Sequence, residues 1–290
     1  MILYFHDVNT KVSIPILGID TFQIDLQSDG SFQYHEIIGE RLIETPHKHD
    51  FFLFLLFEKG SGTHMIDFID YEVTGHQLHL LFPGQVHSWN LGADTVACQI
   101  MVTRRIFETF ANSLRYDLLL YQNHPVLNLN PDVFRQFLYE FKAIQLELTL
   151  KPMSWDIIGS RSRIIAQMTS REAMEKFDEL KVYHAKPVLV EYLSLVDTHF
   201  KEQRLVAFYA EKLSITPNYL NILCKKHFYT SATSLIHNRV TLEAKRLLLT
   251  SKKTIKEIAY ELGFYDLAYF SKFFKGQTGL GPREFRASIQ

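Results

Sequence analysis

Two short stretches near the end of the chain place amides and cations at helical spacing. Asn218, Asn221, Lys225 and Lys226 cluster in 217–227, and Ser271, Lys272 and Lys275 cluster in 267–277. Amides pair with base edges and cations with phosphates, so this chemistry is that of nucleic-acid binding. Each stretch belongs to a weak internal repeat. Ala210, Leu213, Ile215, Leu220 and Cys224 match Ala259, Leu262, Phe264, Phe270 and Phe274, with one extra residue in the second turn. A short helix, a tight turn and a second helix is the layout that inserts its second helix into the DNA major groove. An ordinary helical bundle would show the same apolar spacing; the polar faces favour DNA binding.

Charge is distributed accordingly. The net charge of −1 conceals 15 Lys/Arg against 23 Asp/Glu in 1–185, a balance of −8, and 16 against 9 in 186–290, a balance of +7. A basic part joined to an acidic one suggests a polyanion-binding module attached to something else. Two hundred and ninety residues with 47% hydrophobic and 22% charged composition suit two domains with real cores. The longest strong apolar run, Phe51 to Phe57, has seven residues, far short of the ~20 that span a bilayer. The start of the chain lacks a basic segment ahead of an apolar one, so no secretory signal is expected and a cytoplasmic location is. Two cysteines exclude a disulfide framework. There is no phosphate loop, G-x-S-x-G elbow or convincing nucleophile–base pair, and an enzyme is not expected.

The elements that must hold these residues divide the chain. The segments 51–57, 63–70, 76–82 and 95–102 read as short strands separated by glycine-bearing turns, which suggests a barrel or sandwich. After Pro131 the period becomes helical, with Phe134, Phe137, Leu138, Phe141, Ile144 and Leu148 on one face. A second helix is expected over 154–177, forming a hairpin that could serve as a dimer seam. The polar 179–186 reads as a linker. From Pro187 helices are expected at 187–200, 205–213, 217–227, 231–250, 255–262, 267–277 and 282–287. Thr254 with Glu257 fits a capping box, and Thr216 and Asp266 fit N-caps. A continuous 231–250 spans about 30 Å, close to one DNA turn of about 34 Å.

The segment IKEIAYELGFYDLAYFSKFFKGQTGLGPREFR (255–286) resembles the C-terminal signature of the arabinose-regulator (AraC/XylS-type) transcription factors. AEKLSITPNYLNILCKKHF resembles that family's first helix-turn-helix and RVTLEAKRLLLTSKKT its connecting helix. The resemblance implies an α+β multidomain protein: a cupin-like β sensor domain (1–130), a helical hairpin (131–178) and a bipartite DNA-binding domain (187–290). It implies base-facing positions at Asn218, Asn221 and Ile222, and at Leu267, Ala268, Ser271 and Lys272. Lys225, Lys226 and Lys275 are expected on phosphates. Ile222 stands where the family often has a basic residue, and Leu267 and Ala268 are less polar than usual. Implied partners are double-stranded DNA, RNA polymerase, a small-molecule effector and a second copy of the chain; no membrane and no cofactor are expected.

HKHDFFLFLLFEKGSGTHMIDFIDYEV and LLFPGQVHSWN resemble the cupin-type sensor domain that many such regulators carry. His47, His49 and His87 occupy positions like those of cupin metal ligands, and three imidazoles suit zinc, iron or nickel. The glutamate that should follow His49 is missing, with Leu53 and Phe54 in that region, so no metal is expected. An effector pocket, if present, would draw on Phe52, Phe54, Phe68, Phe82, His87 and Trp89, although core packing also accounts for these aromatics. Three functions therefore compete: an effector-controlled regulator, a cupin metalloenzyme with an accessory nucleic-acid-binding tail, and a regulator whose barrel is only a scaffold.

Overall fold

The computed structural model describes residues 16–19, 30–114, 118–177 and 186–287. Its N-terminal part is a sandwich of two five-stranded sheets. One sheet has the order β1 (Ile16–Leu17), β3 (Arg41–His49), β8 (Val86–Leu91), β5 (Gly62–Ile66), β6 (Ile69–Glu72). The other runs β10 (Val126–Asn128), β7 (Gln77–Leu81), β4 (Phe52–Lys59), β9 (Val96–Val102), β2 (Phe32–Ile38). Apart from the parallel β1–β3 pair, the ladders are antiparallel. Of the two forms expected, barrel or sandwich, the chain adopts the sandwich, with no ladder joining the sheets among the described residues.

Strand β4 explains the unbroken apolar run, because it is buried on both faces. Leu53, Leu55 and Phe57 point between the sheets with Ile66, Leu91 and Met101. Phe52, Phe54 and Leu56 point the other way, into a core continued by Phe134, Phe137, Phe141 and Ile144 of α3 (Pro131–Thr149). Helix α3 and α4 (Trp155–Lys176) form the expected hairpin. The short α1 (Arg104–Glu108) and α2 (Leu118–Asn123) connect β9 to β10. The expected strand 63–70 is instead two strands, β5 and β6, because Asp67 and Phe68 adopt φ of 48° and 71° and turn the chain back. The expected linker 179–186 lies outside the described residues except for Lys186.

The rest is helical: α5 (Pro187–His199), α6 (Val206–Lys212), α7 (Pro217–Phe228), α8 (Ala232–Thr250), α9 (Ile255–Glu261), α10 (Leu267–Thr278) and α11 (Pro282–Ala287). Helix ends follow local chemistry. Thr216 and Asp266 accept from the backbone N–H of Tyr219 and Tyr269, and Thr254 with Glu257 closes a capping box. Helix α8 is continuous and touches α5, α7, α9, α10 and α11, so it is the spine on which both helix-turn-helix units hang. Among the described residues no helix is long and apolar enough to cross a membrane.

Candidate nucleic-acid interface and buried histidine cluster

The two units are built alike. Ala210 and Ala259 are fully buried at equivalent positions in the first helix of each pair, where a small side chain favours close packing. In each turn the N–H after the left-handed residue reaches back to that alanine's carbonyl: Ile215 to Ala210 at 3.0 Å, Phe264 to Ala259 at 2.9 Å. The left-handed residue is Ser214 (φ 55°) in one unit and Gly263 (φ 76°) in the other. Only glycine fits the second position, where a Cβ would lie 1.9 Å from the Lys201 carbonyl oxygen. Arg204 seals this corner, stacked over the Phe264 ring at 3.5 Å with its guanidinium donating to the Leu262 carbonyl.

On α7, Asn218, Ile222, Lys225 and Lys226 are exposed together. Asn221 is half-buried, and its Oδ1 accepts from the Ala232 N–H at 3.1 Å, so its amide group helps start α8. On α10, Ala268, Lys272 and Lys275 are exposed, whereas Leu267 and Ser271 are half-buried. Leu267 packs on the core and the Ser271 hydroxyl donates to the Leu267 carbonyl at 2.8 Å. Sequence reasoning took aromatics as core and so missed Tyr219, Tyr265 and Tyr269, which stand exposed on or beside these helices; Tyr265 is 96% accessible. Each stands three residues before a predicted position, Ile222, Ala268 or Lys272, and that helical offset was the available signal.

The six aromatics proposed as one pocket do not come together. The two-residue period of a strand sends Phe52, Phe54 and Phe82 under the helices, where Phe52 stacks on Phe107 with ring centroids 3.6 Å apart. Phe68 lies against the DNA-binding part, edge-on to Phe285. Only His87 and Trp89 face the space between the sheets, in contact with His64.

That space holds five buried histidines: His47, His49, His64, His79 and His87. His47 and His49 share a face of β3, and β3–β8 pairing sets His47 opposite His87. One nitrogen from each of these three lies within 4.8 Å of the others, so the donor set fits a metal ion despite the absent carboxylate. His64 and His79, which carried no motif, extend the cluster across to the other sheet. Nε2 of His49 meets Nε2 of His87 at 2.7 Å, Nδ1 of His87 meets Nε2 of His64 at 3.0 Å, and Nδ1 of His64 meets Nδ1 of His79 at 2.9 Å. Burial holds His64 and His87 well below the ordinary imidazole range and His79 at about 3, so all three are neutral at pH 7.

The two parts of the chain meet at the β5–β6 turn. The Asp67 carboxylate receives Arg246 of α8 through Nε at 3.0 Å and Nη2 at 2.7 Å. It also accepts from Gln85 at 2.7 Å and from the Val86 N–H at 3.2 Å. The side chains of Arg246 and Asp67 are only 8% and 11% exposed.

Comparison with known proteins agrees with both halves. The model of a helix-turn-helix domain matches residues 209–288, and that of an AraC-like ligand binding domain matches 39–137. The arabinose operon regulatory protein of Salmonella typhimurium is 33% identical over 102 residues, 34% of this chain and 35% of that protein. The chain thus spans about a third of the length of that relative. The HTH-type transcriptional activator RhaS of Salmonella heidelberg is 24% identical over 255 residues, covering 83% of this chain and 86% of RhaS. Among solved structures, ToxT from Vibrio cholerae O395 is similar at 14% identity and a TM-score of 0.43, covering 90% of this chain and 98% of its own.

Proposed function

Because the chain belongs to the AraC-type regulators, we propose that it controls transcription by binding double-stranded DNA through 187–290, under control of its N-terminal domain. The observation that carries the reading is the pair of exposed polar and cationic helix faces, α7 and α10, mounted on one continuous helix. Nineteen residues of α8 give about 28 Å, near the spacing of successive major grooves on one face of the duplex. Asn218, Asn221 and Ile222 read one box and Ala268, Ser271 and Lys272 the other, while Lys225, Lys226 and Lys275 hold phosphates. Leu267 supports its helix from the core side. The amide N–H₂ of Asn221 remains for a base, while its oxygen already accepts one bond from Ala232.

The division of labour we propose is a sensor over 1–130, a dimerising hairpin over 131–178 and the DNA-binding domain over 187–290. Support for the dimer is the outward apolar set on α3 and α4, where Tyr139, Leu146, Ile157 and Ile164 remain exposed. Two protomers would engage two operator halves and gain affinity through effective concentration. The effector is a small molecule and RNA polymerase the downstream partner, in keeping with relatives named as operon regulators and activators. Such a protein works in the cytoplasm and performs no catalysis.

The test is phase. Five extra base pairs between the two boxes rotate one to the far side of the duplex, and affinity should fall to that of a single box. Unchanged affinity and footprint would show that the two units bind independently.

A further inference from the structure

Gln77 fixes the tautomer of every histidine in the chain that runs to His87. The Gln77 Oε1 accepts the Thr74 N–H at 2.9 Å, and its Nε2 donates to the Glu72 carbonyl at 3.2 Å and to Asn128 Oδ1 at 2.9 Å. A backbone N–H can only donate and a carbonyl can only accept, so the orientation of this amide is settled by the main chain. His79 Nε2, 3.1 Å from that Oε1, must then carry hydrogen. A neutral imidazole has one hydrogen, which leaves His79 Nδ1 as an acceptor. His64 therefore donates from Nδ1 and accepts at Nε2. His87 must donate from Nδ1 to meet it, and its Nε2 is left with a lone pair that meets His49 Nε2, with the His47 ring alongside, centroids 4.2 Å apart.

From this we propose that His47, His49 and His87 bind a divalent late first-row metal ion of the zinc class, and that His64, His79 and Gln77 are positioning residues that hold His87 in its ligating tautomer. Metal-bound histidines ordinarily give their second ring hydrogen to a carboxylate or carbonyl, which orients the ring and raises its basicity. Here His64 of the same sheet, followed by His79 and Gln77 of the opposite sheet, performs that task. The relay thus replaces the orienting role of an outer carboxylate, in a sequence whose missing glutamate argued against metal. Three nitrogen donors leave a fourth position for water or a ligand atom. Imidazole ligands without thiolate or carboxylate suit zinc, copper, nickel or iron over magnesium or calcium. Without an ion, the His87 lone pair accepts the His49 Nε2 hydrogen; an ion would take the place of that hydrogen, and the neutral His49 would then carry its one proton on Nδ1.

The experiment uses the full chain, stripped with a chelator and titrated with Co²⁺, then with Zn²⁺. We expect one equivalent of Co²⁺ to produce a visible absorption band of a nitrogen-ligated ion, and Zn²⁺ to bleach it. His87→Gln should abolish the band. His79→Phe leaves all three ligands in place, so it should keep the one-to-one stoichiometry while weakening affinity about 10- to 100-fold. Imidazole ¹⁵N spectra of the metal-free wild type provide a readout independent of any variant's folding and should report the Nδ1–H tautomer for His87. No band in folded wild type, or unaltered binding by folded His87→Gln, overturns the site. A His87 found mainly as Nε2–H, or a folded His79→Phe that binds as tightly as wild type, overturns the relay. None of these outcomes depends on DNA binding, so the regulatory reading stands or falls separately.

Discussion

Replacing Asp67 with Asn is the sharpest test of how the two parts of the molecule are joined. The change keeps the size of the side chain and removes the charge that faces Arg246. Breaking a buried pair by removing one partner costs roughly 3–5 kcal/mol, because the survivor is left uncompensated in a poor solvent. Arg246 retains Glu243 at 3.6 Å, so its charge is not wholly abandoned, and the lower end, about 3 kcal/mol, applies. For a chain of this size about 1 kcal/mol moves the melting temperature by roughly 2–4 °C, which gives a fall of about 6–12 °C in the transition that reports the junction. Arg246→Met should cost less, since its stem still packs and Asp67 keeps Gln85 and the Val86 N–H. A double-mutant cycle by urea unfolding, with fluorescence and circular dichroism read in parallel, isolates the pair. We expect a coupling above about 1.5 kcal/mol. A coupling under about 0.5 kcal/mol would mean that the contact is formed but contributes nothing, and the argument from burial would be refuted.

Isolated 187–290 should bind DNA with an affinity that falls steeply with salt, and each of Lys225, Lys226, Lys272 and Lys275 changed to Ala should flatten the log–log slope by about 1 if it holds a phosphate. Gel retardation across a salt series checks this; an affinity indifferent to salt would contradict it. Gly263→Ala combines a left-handed φ with a backbone clash at Lys201, so it should cost more than the roughly 1–2 kcal/mol of the conformation alone, whereas Ser214→Gly in the other unit should be neutral or slightly stabilising. Burial lowers the His79 pKa from 6.5 to about 3, so its contribution to stability is complete above pH 6.5. It is lost as the pH falls below that value, by about 1.4 kcal/mol per pH unit, because the unfolded chain takes up a proton that the folded one refuses. Melting curves between pH 7 and pH 5 should therefore converge for wild type and His79→Gln; parallel curves would show that His79 is already charged in the fold.

Much of the helical half was legible because its signals are local. Caps at Thr216, Thr254 and Asp266, prolines at Pro187 and Pro217, and the small residues Ala210 and Ala259 each act within a few positions of themselves. The sandwich was harder for reasons equally physical. RLIETPHKH in β3 shows no apolar alternation, since much of it faces solvent, and it was not recognised as a strand. The assignment of Phe52 and Phe54 to a pocket failed because a strand buried on both faces carries no sign of which side is interior. His64 and His79 gave no signal at all. Their role depends on two sheets meeting, and the residue spacing of 15 between them encodes nothing by itself. Arg246 was equally hidden, for it resembles any other cation of a basic helix until its partner 179 residues away is in view.

The Asp67 carboxylate is held at once by Arg246 of α8 and by the Val86 N–H, and Val86 immediately precedes His87. Anything that binds in the sandwich and changes DNA affinity by working this joint is subject to reciprocity: if it alters operator affinity by some factor, the operator must alter its affinity by the same factor. The joint also sets a ceiling. The Asp67–Arg246 pair itself, at about 3 kcal/mol, can carry no more than roughly a 150-fold change, however tightly the ligand is held. Ligand affinity measured with and without operator DNA is therefore a gauge of the signal itself, obtained without observing transcription.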